Sequence, residues 1–280
     1  MKPAPFAYLR PGSLSEALAA LSEAPDAKVL AGGQSLVPLL SMRLAAPAAL
    51  VDINAVPDLD HVVVTDDGVR VGALARHADV LAHQAAAQAQ PLLAMALSHV
   101  AHATIRNRGT TVGSIVHADA AAEMPVVLAL LGGSVEVASV RGNRTIAAAD
   151  LFAGPLESTL AHDEIATEAF FPALRPGEGV GFAEIARRNG DYALVGVAGL
   201  VRVEGGDVVE ARLGYLSVND VPTVVDVSGR SPEEAVEHVL TALEPAGDIH
   251  ATAAYRSQLV RVLTRRVFQA ATEHARGRTS

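Results

Sequence analysis

Cysteine is absent from the 280 residues. Disulfides, thiolate zinc sites, iron–sulfur clusters held by this chain and a thiol nucleophile are therefore all excluded. Tryptophan is also absent and aromatic residues make up only 4%, which argues against base-stacking platforms. There is no basic block and the formal net charge is -9, so neither nucleic acid nor an anionic membrane is a main partner. No apolar run reaches the about 18 residues of a membrane span. The opening MKPAPFAYLRPG lacks the apolar core of a signal peptide, and the expected location is the cytoplasm. What remains is the composition of a globular protein, 50% hydrophobic and 19% charged, long enough for two domains or one large one.

The first third alternates short strands and helices. Ser13 and Glu16 form a capping-box pattern ahead of Ala17, Leu18 and Leu21, which predicts a helix over 13–23 ended by Pro25. Strands are expected at 28–31 and 50–53, with one helical turn following Pro38 inside 36–42. From 57 the pattern changes to a hairpin over 61–72 around Asp66, Asp67 and Gly68. Helices are expected over 78–89 and 91–102, and strands over 133–139, 144–146 and 165–171. Residues 174–179 read as a linker, with the glycines 177, 179 and 181 as its punctuation. Beyond it lie strands at 181–187, 194–204 and 208–217, a Ser231-capped helix to about 243, and a last helix over 251–275. That helix places Leu259, Val262, Leu263 and Val267 on one face, and a frayed tail over 276–280 follows. The fold class is α+β.

Two stretches carry chemistry. In the first, a short apolar strand runs into Ala31, Gly32, Gly33, Gln34, Ser35, Leu36, Val37 and Pro38. Glycine permits positive φ and close approach of a ligand to the backbone, and successive N–H groups in such a turn suit phosphate oxygens. An ordinary strand-to-helix turn has the same composition. The second stretch lies about 80 residues on: Arg106, Asn107, Arg108, Gly109, Thr110, Thr111, Val112, Gly113 and Ser114, with Asp119 and Glu123 downstream.

Taken together, these stretches resemble the two FAD diphosphate loops of the medium, flavin-carrying subunits of molybdenum hydroxylases, a family that includes carbon monoxide dehydrogenase, xanthine dehydrogenase and quinoline 2-oxidoreductase. The resemblance extends over nearly the whole chain. Phe6, Tyr8 and Pro11 match the family's opening. Phe182, Glu184, Ile185, Ala186, Arg187, Arg188, Gly190, Asp191 and Tyr192 match the start of its C-terminal domain, and Gly214 to Pro222 a later strand and turn. It implies a two-lobed FAD-binding domain of the PCMH/vanillyl-alcohol-oxidase type over 1–175, with lobes of about 1–56 and 57–175. A smaller C-terminal α+β domain, an antiparallel sheet with helices, would occupy 178–280. It also implies roles. Residues 31–38 and 110–114 would cradle the FAD diphosphate, and Asp119 and Glu123 would lie near the ribityl, ribose or phosphate region. Tyr192 would sit against the isoalloxazine, the backbone of Ala166 near the ring, and Val100 near the adenine. No catalytic acid or base and no metal ligand is assigned to this chain. The implied partners are a large subunit with the molybdenum cofactor and a small one with two 2Fe-2S clusters, two copies of each chain forming a heterohexamer. Electrons would pass from the clusters to FAD and on to an acceptor.

Val112 departs from the family pattern Thr-Ile-Gly-Gly, standing where the first Gly is expected. A β-branched residue fits positive φ poorly. Either the loop holds Val112 at negative φ, or FAD binding is weakened and the chain is a scaffold. A stand-alone flavin oxidase is the third reading. Other features read as bland: His99 and His102 on a helix face, His117 beside Asp119, Asp52 as a turn residue, and Arg187 with Arg188 at a strand end.

Overall fold

The computed structural model describes residues 2–278. Its elements in order are β1 (Ala7–Leu9), α1 (Leu14–Glu23), β2 (Ala27–Leu30), α2 (Leu36–Met42), β3 (Ala49–Asp52), β4 (Val62–Thr65), β5 (Gly68–Gly72), α3 (His77–Ala82), α4 (Gln84–Ala89), α5 (Pro91–Leu97), α6 (Ala103–Arg106), α7 (Thr111–His117) and α8 (Glu123–Leu131). They continue with β6 (Ser134–Ser139), β7 (Gly142–Ala147), β8 (Phe152–Gly154), β9 (Glu157–Ser158), β10 (Ile165–Pro172), β11 (Glu178–Ala186), β12 (Ala193–Glu204), β13 (Asp207–Leu216), β14 (Thr223–Asp226), α9 (Pro232–Ala242) and α10 (Ala253–Gly277).

Three larger sheets and the two-stranded ribbon β8-β9 organise these elements. The first is parallel, in the order β1-β3-β2. Its connections carry α1 and α2, as parallel pairing requires crossovers. Leu18, Leu21, Val51 and Ile53 fill the core beneath it. The second is antiparallel, β4-β5-β10-β6-β7, and the third is the antiparallel meander β11-β12-β13-β14. Strand β12 is buried on both faces. Val195, Val197, Val201 and Val203 face the helices α9 and α10, while Ala198 and Leu200 join the core shared with the second sheet. Helix α8 is apolar on every side, with Met124, Val126, Val127, Leu128 and Leu130 fully buried. A helix that is hydrophobic all round must be enclosed, and α8 packs against both antiparallel sheets.

Several expected elements differ. The helix over 78–89 breaks at His83, whose Nδ1 accepts a hydrogen bond from Ala86 N at 3.1 Å and caps α4. The helix over 91–102 ends at Leu97, so His99 lies beyond it and His102 stands at the N-cap position of α6 without a side-chain cap bond. Helix α2 spans two turns with Pro38 inside its first, where the missing N–H costs no bond. The linker is shorter than 174–179, because Glu178 and Gly179 already belong to β11. Glu178 is buried and accepts from Arg175 N at 2.7 Å. Gly179 and Gly181 are packing residues: a Cβ on Gly179 would stand 2.1 Å from Ala275 N of α10. On α10, Val262 is exposed, whereas Val260, Leu263, Val267 and Ala271 are buried. The helix continues through Gly277, so Arg276 and Gly277 are helical where a frayed tail was expected; Thr279 and Ser280 lie outside the described residues. Among the described residues no helix is long and apolar enough to cross a membrane.

Candidate cofactor site

Strand β2 delivers the chain to Gly32 and Gly33 at the edge of the first sheet. Gly33 has φ +72°, and an added Cβ would meet Leu30 Cδ1 and Val37 Cγ2 at 3.2 Å. Gly32 is constrained by close approach: a Cβ there would stand 2.4 Å from Arg108 O and 2.8 Å from Gly109 Cα. The two stretches are thus brought into direct contact, backbone against backbone. Gln34 turns its Nε2 onto Gly32 O at 3.1 Å, which keeps the turn tight. The N–H groups of Gly33, Gln34, Ser35 and Leu36 find no acceptor among the described residues. Ala31 to Leu36 are partly exposed, and Val37 and Pro38 are exposed. Unmet donors of this kind next to solvent form a site for an anion.

The second stretch is built differently. Arg76 and Thr110 form an isolated antiparallel bridge, with His77 N donating to Gly109 O at 3.0 Å and Thr111 N to Ala75 O at 3.2 Å. Thr110 then caps α7, its Oγ1 accepting from Gly113 N at 3.2 Å. Thr111 is fully buried, with Oγ1 3.2 Å from His77 Nδ1. Burial drives the His77 pKa down to about 4, so this partner is neutral near pH 7. Val112 is the second residue of α7, at negative φ, with its side chain packed in the apolar core. Of the two outcomes posed for Val112, the loop takes the first: the side chain points away from the cradle. Gly113 and Ser114 remain partly exposed. Val100 and Ala166 have their side chains in the apolar core, leaving only backbone for any contact.

Asp119, Glu123 and Tyr192 gather at the junction between the second and third sheets. Asp119 Oδ1 accepts from Ala121 N at 2.9 Å between α7 and α8. Glu123 opens α8; burial first and the nearby Glu184 carboxylate second raise its pKa to about 8. The Glu184 side chain is 5% exposed and lies 3.4 Å from His99 Nδ1. Its other oxygen is buried without a partner among the described residues. That hydrogen bond raises the His99 pKa, and the His99 ring tilts against Phe182 at 5.2 Å. Tyr192 is 65% exposed. Its hydroxyl end is raised in pKa by desolvation and then by Asp119 and Glu123. Tyr192 and Asp119 line a cavity of about 580 Å³ that Arg187, Ser217 and Arg256 complete. Arg187 pairs with Asp191 at 3.6 Å, while Arg188 lines a smaller cavity with His99 and Glu184.

The remaining histidines and Asp52 have local roles. His99 and His102 do not share a helix face. Among the described residues no hydrogen bond joins His117 to Asp119, and burial lowers the His117 pKa. Asp52 accepts from Asn54 N at 2.9 Å and from the Tyr8 hydroxyl, as a turn residue does. Sequence reasoning missed Asn54 and Arg76. Asn54 donates to Ala31 O in the first loop, and Arg76 donates to Arg108 O beside the second. A cation at a helix start opposes the helix dipole, and that misfit was the available signal for Arg76.

Comparison with known proteins identifies the family and the fold. The family described as FAD binding domain in molybdopterin dehydrogenase matches residues 4–174, and CO dehydrogenase flavoprotein C-terminal domain matches 181–271. The chain is 42% identical to the nicotine 6-hydroxylase medium subunit of Paenarthrobacter nicotinovorans, over 95% of this chain and 97% of that one. Among solved structures, quinoline 2-oxidoreductase from Pseudomonas putida 86 superposes with a TM-score of 0.92 at 36% identity, covering 100% of both chains. The carbon monoxide dehydrogenase of Hydrogenophaga pseudoflava gives 0.93 at 29% identity, over 98% of this chain and 99% of that one. The chain therefore belongs to the FAD-binding medium subunits of the molybdenum hydroxylases, a family of oxidoreductases.

Proposed function

We propose that this chain is the electron-transfer subunit of a molybdenum hydroxylase complex, holding FAD between its two glycine stretches. The observation that carries the reading is the contact of Gly32 with Arg108, Gly109 and Thr110, which joins unpartnered N–H donors into one concavity. Such a concavity suits two linked phosphates, since each oxygen accepts from backbone donors that need no rearrangement. The residues present fit the group: glycine stands where a Cβ would close the cradle, and Val112 leaves it open.

Within this reading, residues 31–38 and 110–114 form the cradle, and the N–H groups of Gly33, Gln34, Ser35 and Leu36 on one side and of Thr110 and Val112 on the other are the donors left for the diphosphate. Thr110, as a cap, fixes the direction of the second set. Val100 and Ala166 contribute backbone only. Asp119 and Glu123 border the ribityl, ribose or phosphate region, and Tyr192 covers the ring, where its hydroxyl stays protonated near neutral pH. FAD supplies a carrier that accepts electrons singly or in pairs. The chain binds and orients it, and Tyr192 limits water at the ring. A small partner with 2Fe-2S clusters would supply its electrons, and a large partner with the molybdenum cofactor would hydroxylate substrate. The relatives' names as medium subunits and chains support partners of this kind. The working division is an FAD-binding domain over 1–175 and a C-terminal domain over 178–280. The rival scaffold reading depended on Val112 intruding into the cradle, and its side chain lies in the core.

The test is the visible spectrum of the purified chain after incubation with FAD and gel filtration. Oxidised-flavin bands that travel with the protein are expected. A colourless protein, repeated with its partner subunits present, would transfer the chain to the scaffold reading.

A further inference from the structure

Outside the two stretches, two side chains in contact, Arg76 and Asn54, link the two sides of the cradle. Arg76 Nη1 donates to Arg108 O at 2.8 Å, and Nη2 donates to Asn54 Oδ1 at 2.8 Å. Asn54 Nδ2 in turn donates to Ala31 O at 2.8 Å. Asn54 is itself fixed by Asp52, which accepts from Asn54 N and Nδ2 and from the Tyr8 hydroxyl. A continuous hydrogen-bond chain thus runs from strand β1 through the turn after β3, reaches the first loop, and ends on the second. The bridge between Arg76 and Thr110 holds the Arg76 backbone in the same place, and Asp79 accepts from its N–H at 3.3 Å.

We propose that Arg76 is a positioning residue for the diphosphate, bracing the two loops at one separation through Asn54 and Arg108 and adding a positive charge behind the cradle. The inference rests on the reading of the two stretches as one FAD site. Three features point this way. The guanidinium is planar with donors in a fixed fork, so two nitrogens reach two acceptors at a set spacing; a lysine ammonium has no such fork. One acceptor, Arg108 O, lies in the second loop and the other, Asn54 Oδ1, belongs to the side chain that holds the first, so the guanidinium and Asn54 together set the loop separation. The cation also stands at the start of α3, where the helix dipole disfavours it. A local rule broken in this way is expected at a functional position.

The test measures FAD affinity and release rate, by flavin fluorescence quenching, in the full chain and in Arg76→Ala, Arg76→Lys, Asn54→Ala and the Arg76→Ala/Asn54→Ala double variant. Arg76→Ala is expected to weaken FAD by about tenfold to hundredfold, the range of a charged hydrogen bond, and Arg76→Lys to recover little of it. Guanidinium ion added to Arg76→Ala is expected to restore affinity, which a merely structural loss would not allow. The double variant is expected to lose less than the sum of the single losses, because both changes cut one chain. Thermal melts of the FAD-free variants monitor folding, and Asn54→Ala keeps the test informative if Arg76→Ala folds poorly. Wild-type affinity in Arg76→Ala, full affinity in Arg76→Lys, absence of guanidinium rescue, or additive losses would each overturn the brace. Failure of the unsubstituted chain to bind FAD would instead overturn the site reading beneath it.

Discussion

The two halves of the cradle reach one arrangement by opposite means. In the first, Gly32 and Gly33 do the work that side chains cannot: one removes a Cβ that would strike Arg108 O, and the other takes φ +72°. In the second, side chains supply the order. Thr110 caps α7, Thr111 meets His77, and Val112 anchors the turn in the core. A backbone cradle can therefore be set by what is missing or by what is buried. The first kind is intolerant of added atoms, and the second is sensitive to removed ones.

That contrast is open to attack by substitution. The largest effect is expected from Gly33→Val, which puts a β-branched residue at positive φ with neighbours already at 3.2 Å. FAD retention after gel filtration should vanish, and normal retention would sink the assignment of the first loop. Val112→Gly should separate the loops most sharply. It empties a buried core position and places glycine in a helix, costing about 3 kcal/mol by thermal or denaturant unfolding. FAD affinity of the folded fraction should be unchanged; tighter binding would mean that Val112 obstructs the site.

The second half alone runs on into a strongly shifted ionisable group. Burial raises Glu123 from 4.5 to about 8, so the folded state holds its proton more tightly than the unfolded chain. The stability this gives is complete below pH 4.5 and is lost as pH rises to about 8. Glu123→Gln should flatten that loss and raise stability at high pH by on the order of 2 kcal/mol. Parallel pH–stability curves for the two proteins would contradict it. The smallest effect belongs to Thr110→Ala, about 1 kcal/mol for a lost cap, with weaker FAD binding. An unchanged FAD dissociation constant would remove Thr110 from the cradle.

Much of this was legible because its causes are local. A glycine pair after an apolar strand, a Ser13 cap and a hairpin around Gly68 all act over a few residues, and the structure realises each. The second loop was legible as a motif and misleading as chemistry. Val112 looks like an obstruction only while its direction is unknown, and α7 decides that direction. Helices α6 to α8 escaped notice because the first two are short and α8 has apolar residues on every side, which erases the 3.6-residue period. His83 breaks a helix through a ring nitrogen, a bond that composition does not reveal. Gly179 and Gly181 imitate a linker, although they are flat surfaces for α10. Arg76 and Asn54 act across 22 residues of sequence, and only the fold shows that one guanidinium reaches the second loop directly and the first through Asn54.

The most direct test of a shared cradle is amide hydrogen exchange with and without FAD, read at residues 33–36 in the first segment and at Thr110 and Val112 in the second. Simultaneous protection of both segments at one FAD concentration is predicted, because their donors face one diphosphate. Protection of one segment alone, or of neither while FAD remains bound, would contradict the shared site.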